Sequence, residues 1–198
     1  MTAKADSSAS ASHVAGKTSK TQGFDYDLVV IGSGPSGQRA AIQAAKLGKR
    51  TAIIERARAV GGVCVHTGTI PSKTFREAVI HLSGFRERGI YGSSYRVKQD
   101  IGIDDLLYRV QLVVRSEIDV IRNQMTRNRV ELIESTARFV DAHTLELESA
   151  SGHGRRQISA DIIVIACGTE AARDDHITFD GQRVFTSDDV LEIGRAHV

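Results

Sequence analysis

Short, wholly apolar runs alternate along the chain with longer segments in which apolar residues recur every three or four positions. Leu28 to Ile31 is apolar and rich in β-branched residues, the pattern of a strand buried on both faces. Gln38 to Leu47 is alanine-rich, with Ile42 and Ala45 as inward candidates, and predicts a helix that Gly48 stops at its C′ position. Thr51 to Ile54 predicts a second buried strand, ended by Glu55. Asp104 to Arg127 predicts a long helix whose core stripe is Leu106, Val110, Val113, Ile118, Ile121 and Met125, with charges on the other positions. Val130 to Leu147 reads as three short strands, ELIE, ARFVD and TLELE, with a hairpin connection at Asp141-Ala142-His143. A turn at 151–154 leads to Gln157–Ala166, whose second strand, DIIVIA, is buried in character. Strand, helix and strand followed by a meander predict an α/β fold: a Rossmann-like unit with a parallel sheet plus a β-meander.

The two ends do not share this pattern. Residues 1–24 are dominated by Ser, Ala, Thr and Lys and hold almost no apolar anchor, which predicts a disordered leader. The alternative, a transit peptide, is opposed by the lack of arginine and of an apolar helical face. The end, EIGRAHV at 192–198, matches the translation of a common sequencing adapter, so a read-through artefact is expected there. Residues 25–191 remain as the expected domain.

Composition narrows the function classes. Hydrophobic residues make up 41% and charged residues 25% of 198, ordinary for a globular chain. A net charge of +2 with no basic block gives no reason to expect nucleic acid. The longest apolar run, Ile162 to Cys167, is too short to cross a bilayer, so no membrane role is expected. Two cysteines, Cys64 and Cys167, are too few for a disulfide framework, and a reducing cytoplasm is the default.

The chemistry begins after the first strand. Gly32, Gly34 and Gly37 follow it at GxGxxG spacing. Gly32 permits the tight turn, Gly34 lets a pyrophosphate approach the backbone, and Gly37 lets the helix pack close to the sheet. The helix N-terminus offers unpaired N–H groups to phosphate. Glu55 stands 23 residues after Gly32, where an acid can accept the ribose hydroxyls of an adenosine. FAD and NAD both present an ADP half to such a unit, and the motif does not choose between them.

The next stretch, GGVCVHTGTIPSK at 61–73, resembles the redox loop of the two-dinucleotide-binding-domain flavoproteins, the family of dihydrolipoamide dehydrogenase and glutathione reductase. Members usually carry GGxCxxxGCxPSK. Cys64, Gly68, Pro71, Ser72 and Lys73 match, and Thr69 stands where the second cysteine belongs. The resemblance implies FAD as cofactor. It places Gly62, Cys64 and Lys73 near the cofactor, with Lys73 facing the flavin ring, where an ammonium would stabilise negative charge on reduction. It also places Ala137 beside the adenine half, and Gly168 and Thr169 of IACGTE in the segment that closes the site. Cys167 stands where threonine is common.

GTIPSK with threonine, TFREAVIHLSGFRERGIYG and TARFVDAHTLEL are similar to the family's transhydrogenase branch. That likeness implies hydride transfer between NADPH and NAD+ through FAD, because thiol–disulfide exchange needs two sulfurs and Thr69 supplies none. It implies a parent that continues into an NAD(P) domain and a dimerisation domain and is a homo-oligomer. The present chain would be the N-terminal FAD-binding part, truncated before those domains and without turnover alone. Two alternatives stay open: a dihydrolipoamide dehydrogenase-like disulfide reductase that tolerates Thr69, and a non-catalytic flavin- or nucleotide-binding module. Cys64 reads as a packing residue under the ring rather than a remnant thiol. His66 beside one cysteine is a poor metal site, and no metal is expected. Pro71 suits the first turn of a helix from Ile70 to Arg86.

Overall fold

The two apolar runs near the N-terminus pair side by side. In a computed structural model that describes residues 23–149, 154–181 and 183–192, β1 (Tyr26–Ile31) lies parallel to β2 (Thr51–Glu55), with Val30 opposite Ile53. Between them runs α1 (Pro35–Lys46). It starts three residues before the expected Gln38, because Pro35 takes the first helical position, where its missing N–H costs nothing. The expected stop holds: Gly48 has φ +78° and donates its N–H to the Ala45 carbonyl.

After β2 come two short helices, α2 (Gly62–His66) and, after the longer α3 (Thr69–Leu82), α4 (Arg88–Tyr91). The helix expected to reach Arg86 ends at Leu82. Gly84 follows at φ +67°, and a Cβ there would lie 2.7 Å from the Tyr95 ring, so the chain turns instead of continuing.

The long helix, α5 (Ile103–Arg127), buries Leu107, Val110, Ile121 and Met125, with Val114 and Ile118 packed beside them. The expected stripe named Leu106 and Val113 in place of Leu107 and Val114. Steps of three and four keep residues on one helical face, whereas the expected stripe contained a five-residue step from Val113 to Ile118.

The remaining strands correct the expected segmentation. ELIE and ARFVD are one strand, β3 (Glu131–Phe139). Its first half runs parallel to β2, and its second half runs antiparallel to β4 (Thr144–Ser149). The hairpin at Asp141–His143 is present, closed by the Val140 N–H on the Thr144 carbonyl. The last strand, β5 (Arg155–Ile165), does the same in reverse: it is antiparallel to β4 up to Ser159, then parallel to β1 from Ala160. The five strands thus pair in a closed ring, β1-β2-β3-β4-β5. The fold is the α/β unit with a parallel sheet and a β-meander that the pattern predicts. DIIVIA is less buried than expected, with Ile162 56% and Ile165 65% exposed. Those two side chains reach solvent, while Val164 and Ala166 pack against the helix-side core.

Alternation along β1 divides the core in two. Leu28 and Val30 face α1, α2 and α5 with Ala41, Ile53, Val65, Ile121 and Met125. Val29 faces the ring interior with Ile54, Leu145, Leu147 and Ile158. Each such side chain fully removed from water contributes roughly 1.5–3 kcal/mol.

Most of the expected leader, the 151–153 part of the expected turn and residues 193–198 lie outside the described residues. Among those described, no helix is long and apolar enough to cross a membrane, and no group of three metal-ligating side chains forms.

Candidate functional site

Strands β1, β2 and the second half of β5 are parallel, so their C-terminal ends share one edge of the sheet, the edge where open α/β sheets bind ligands. The chain leaves β1 through Gly32 at φ +106°, and a Cβ there would stand 2.3 Å from the Ala166 carbonyl oxygen. Gly32 donates to the Ile54 carbonyl at 2.8 Å, and Ala166 donates to the Ile31 carbonyl at 2.8 Å. The glycine turn is thus pinned between the ends of β2 and β5. The segment expected to close the site, Cys167-Gly168-Thr169, leaves from the same place, with all three residues exposed and Gly168 at φ +70°.

The other two glycines differ in kind. A Cβ on Gly37 would stand 2.0 Å from the Gly32 carbonyl oxygen, so this glycine permits the close packing of α1 on the turn. A Cβ on Gly34 would meet nothing within 4 Å. Gly34 faces open space at the N-cap of α1, which has no side-chain cap. Pro35 has no N–H, so Ser36 and Gly37 offer the first-turn amides, which no helical carbonyl can reach. Backbone donors, a positive dipole end and free space together make an anion cradle.

Glu55 ends β2 beside this turn. Its Oε2 accepts from the Ser33 N–H at 2.9 Å and the Ser33 hydroxyl at 2.5 Å, and its Oε1 accepts from the Ala57 N–H at 3.0 Å. Burial pushes the carboxyl upward, but hydrogen bonds from the Ser33 hydroxyl and from the Ala57 and Ser33 N–H groups outweigh it and hold Glu55 below the ordinary glutamate range. The group is therefore an acceptor-only carboxylate at neutral pH.

Sequence reasoning missed Ser33, which is 1% exposed. It occupies the first variable place of GxGxxG, and a small hydroxyl there, next to an acid ending the neighbouring strand, was the available signal. Its Oγ also accepts the Gly61 N–H at 3.0 Å. That bond brings in the second loop. Gly61 has φ +119°, and a Cβ there would press into Val65 at 2.6 Å. Gly62 has φ +62°, and a Cβ there would stand 3.1 Å from the Gly34 Cα. The Gly61-Gly62 pair thus lays the loop directly on the glycine turn.

Cys64 follows on α2, half-buried, and both cysteines are free thiols. His66 Nε2 bonds the Val60 carbonyl at 3.0 Å, which ties the ring to its own loop. Thr69 opens α3, and Pro71 is buried in its first turn. Thr69 lines a cleft of about 530 Å³ with Ser72, Phe75, Ser187 and Val190. Lys73 is exposed one turn into α3 and makes no hydrogen bond or ion pair among the described residues. Ala137 lies on the second half of β3, opposite Leu147 and packed on the inner core. The structure therefore brings together Gly32, Gly34, Gly37, Glu55 and Gly62, with Gly168 and Thr169 just beyond the end of β5. Ala137 and Lys73 stand on other elements.

A family model described as pyridine nucleotide-disulphide oxidoreductase matches residues 26–196. The chain is 54% identical over 169 residues to the soluble pyridine nucleotide transhydrogenase of Mycobacterium tuberculosis (strain ATCC 25177 / H37Ra), covering 85% of this chain and 36% of that protein. It is 40% identical over 173 residues to the soluble pyridine nucleotide transhydrogenase of Colwellia psychrerythraea, covering 87% and 37%. The chain thus spans about a third of the length of these relatives. Among solved structures, the HOCl-induced flavoprotein disulfide reductase RclA of Escherichia coli matches with TM-score 0.64 and 26% identity over 84% of this chain and 34% of that one. LpdA of Mycobacterium tuberculosis shares the fold, with TM-score 0.72 and 23% identity over 83% and 37%. With a match spanning the sheet, the glycine turn and the Cys64 loop, the chain belongs to the pyridine nucleotide-disulphide oxidoreductase family.

Proposed function

We propose that this chain is the N-terminal FAD-binding part of a flavoprotein that transfers hydride between NADPH and NAD+ without a redox-active disulfide. The observation that carries the reading is Thr69 at the first position of α3, where the family's loop pattern has its second cysteine. A hydroxyl cannot form a disulfide with Cys64, so no thiol relay competes for the electrons. The transhydrogenase names of the relatives agree with that chemistry.

The residues fit FAD. Gly34 leaves the space a pyrophosphate needs, and Ser36 and Gly37 supply amides toward it. Glu55, held ionised, accepts from a ribose hydroxyl. Gly62 keeps the second loop close without a side chain in the way. Cys64 packs beside the ring, Lys73 provides a cation one turn into α3, and Gly168 and Thr169 close the edge. Ala137 supports the adenine side through its backbone. When bound, FAD would supply the hydride exchange itself. NAD(P) recognition and dimerisation belong, in this reading, to further domains of the intact protein.

Two assays test it. FAD titrated into the chain should quench saturably with a stoichiometry near one; a chain that never retains flavin overturns the cofactor assignment. The uninterrupted gene product should reduce a NAD+ analogue with NADPH and leave lipoamide untouched. Brisk lipoamide reduction would replace the reading with a disulfide reductase.

A further inference from the structure

Two loops meet at this site, and one buried hydroxyl joins them. Ser33 Oγ donates to Glu55 Oε2 and accepts from Gly61 N–H, while Ser33 N–H donates to the same carboxylate oxygen. The Ser33 carbonyl is occupied as well, by Gln38 Nε2 at 2.7 Å. Every polar atom of this 1%-exposed residue is therefore committed to a neighbour that shapes the site.

We propose that Ser33 is a positioning residue for the adenosine ribose: its hydroxyl fixes the Glu55 carboxylate and locks the Cys64 loop onto the glycine turn. The proposal rests on the reading of Glu55 as ribose acceptor and extends it. Glu55 Oε2 is turned inward and saturated by two donors from Ser33, since a carboxylate oxygen has two lone pairs. Oε1 lies at the exposed end, beside Ala57 N–H. A ribose hydroxyl thus meets Glu55 through Oε1 alone. Without the Ser33 hydroxyl, the carboxylate gains freedom to rotate, and the buried Gly61 N–H loses its acceptor. Both changes loosen the same edge, so ribose affinity and loop placement fall together.

Charge does not explain the hold on Glu55. Charged groups on the surrounding elements include its β3 register partner Glu134, Arg56 and Arg58 on its own loop, Arg39 on α1, and Arg122 of α5, which donates to the Arg58 carbonyl. The hold comes from hydrogen bonds with Ser33, Ala57 and the Arg56 backbone.

The test uses the 198-residue chain and its S33A, S33T, E55Q and S33A/E55Q variants. Without FAD, carbon-13 NMR follows the Glu55 carboxyl, and amide exchange follows Gly61. S33A should raise the Glu55 midpoint toward an ordinary glutamate and speed Gly61 exchange, while S33T, which keeps the hydroxyl, should restore both. With FAD, S33A should weaken binding about tenfold or more. The double variant should lose less than the product of the two single losses, because part of Ser33's effect runs through Glu55 and the rest through Gly61; a loss equal to that product overturns the Glu55 part. An unchanged midpoint and unchanged exchange in S33A overturn the clamp, and so does FAD binding that is equal or tighter. A wild-type chain that holds no FAD overturns the cofactor reading and the ribose role with it, while the flavin-free measurements still decide whether Ser33 restrains Glu55. Should S33A fail to fold, E55Q reads the tie from its other end: Gly61 exchange should rise, and an unchanged rate overturns the proposal.

Discussion

Gly34 and Gly37 stand three positions apart in one motif, yet they answer to different constraints. Gly37 is held by the protein itself, since its Cβ would strike the Gly32 carbonyl at 2.0 Å. Gly37→Ala should cost about 3 kcal/mol or more, because backbone must move to admit it. Gly34 is held by nothing within 4 Å and has φ −65°, which alanine adopts freely. Gly34→Ala should leave stability within about 0.5 kcal/mol of the parent. In the proposed site it should weaken FAD binding by about tenfold or more, because the methyl group enters the space read as the phosphate's. Urea unfolding and flavin titration of the two variants separate the roles. A Gly34→Ala chain that binds FAD normally would move the phosphate elsewhere. The GxGxxG spacing made all three glycines legible from sequence. It did not reveal that Ser33, an ordinary residue between two of them, would be buried against Glu55 and Gly61. That contact joins residues 22 and 28 positions away, and no local pattern encodes it.

Individual elements carry their own tests. On α5, Leu107 is 5% exposed and packs with Val110 and Leu191, whereas Leu106 is only partly buried. Leu107→Ala should cost about 2–5 kcal/mol in urea unfolding, and Leu106→Ala distinctly less. Equal costs would return the stripe to the phase expected from sequence. At the start of β1, Asp27 is 6% exposed and accepts from the Arg50 guanidinium at 3.0 Å and the Arg50 N–H at 2.8 Å. The Arg50 side-chain bond, more than offsetting burial and joined by that N–H, holds Asp27 below the usual aspartate range. A carboxyl lowered by folding stabilises the fold fully above its unfolded pKa, about 3.9, and loses that contribution as pH falls through the lower folded value. Stability measured from neutral pH down to about pH 3 should therefore fall, and Asp27→Asn should flatten that decline. An identical acid profile in the variant would remove Asp27 from the acid response.

At the scale of the whole molecule, the closed ring of strands places the glycine turn, Glu55 and the Cys167 end on one edge. A ligand that bridges them should tie β1, β2 and β5 together. FAD at about a hundred times its dissociation constant should stabilise the chain by about 2.7 kcal/mol, read as a rise in melting temperature. Gly34→Ala, binding about tenfold weaker or more, should cut that stabilisation to about 1.4 kcal/mol or less while leaving the flavin-free melting temperature unchanged. A rise that stays undiminished in the variant would mean that flavin binds somewhere else on the surface.

Sequence alone determined what depends on local rules. Gly48 and the β-branched runs set the first strand–helix–strand unit, because turn chemistry and periodicity act over a few residues, while the structure moved the helix start from Gln38 to Pro35. The spacing of Gly32, Gly34, Gly37 and Glu55 marked the proposed nucleotide cradle, and the likeness at Cys64 and Thr69 pointed to the family. Tertiary structure decided the rest. ELIE and ARFVD are each apolar enough to read as separate strands, and only pairing with β2 on one side and β4 on the other makes them one. Leu107 rather than Leu106 faces inward because packing on α3 and Leu191 fixes the rotation of α5, to which a broad apolar stripe is nearly indifferent. The contacts of Ser33 exist only once the ends of β1 and β2 lie side by side, since a hydroxyl bonds whatever the fold brings within 3 Å.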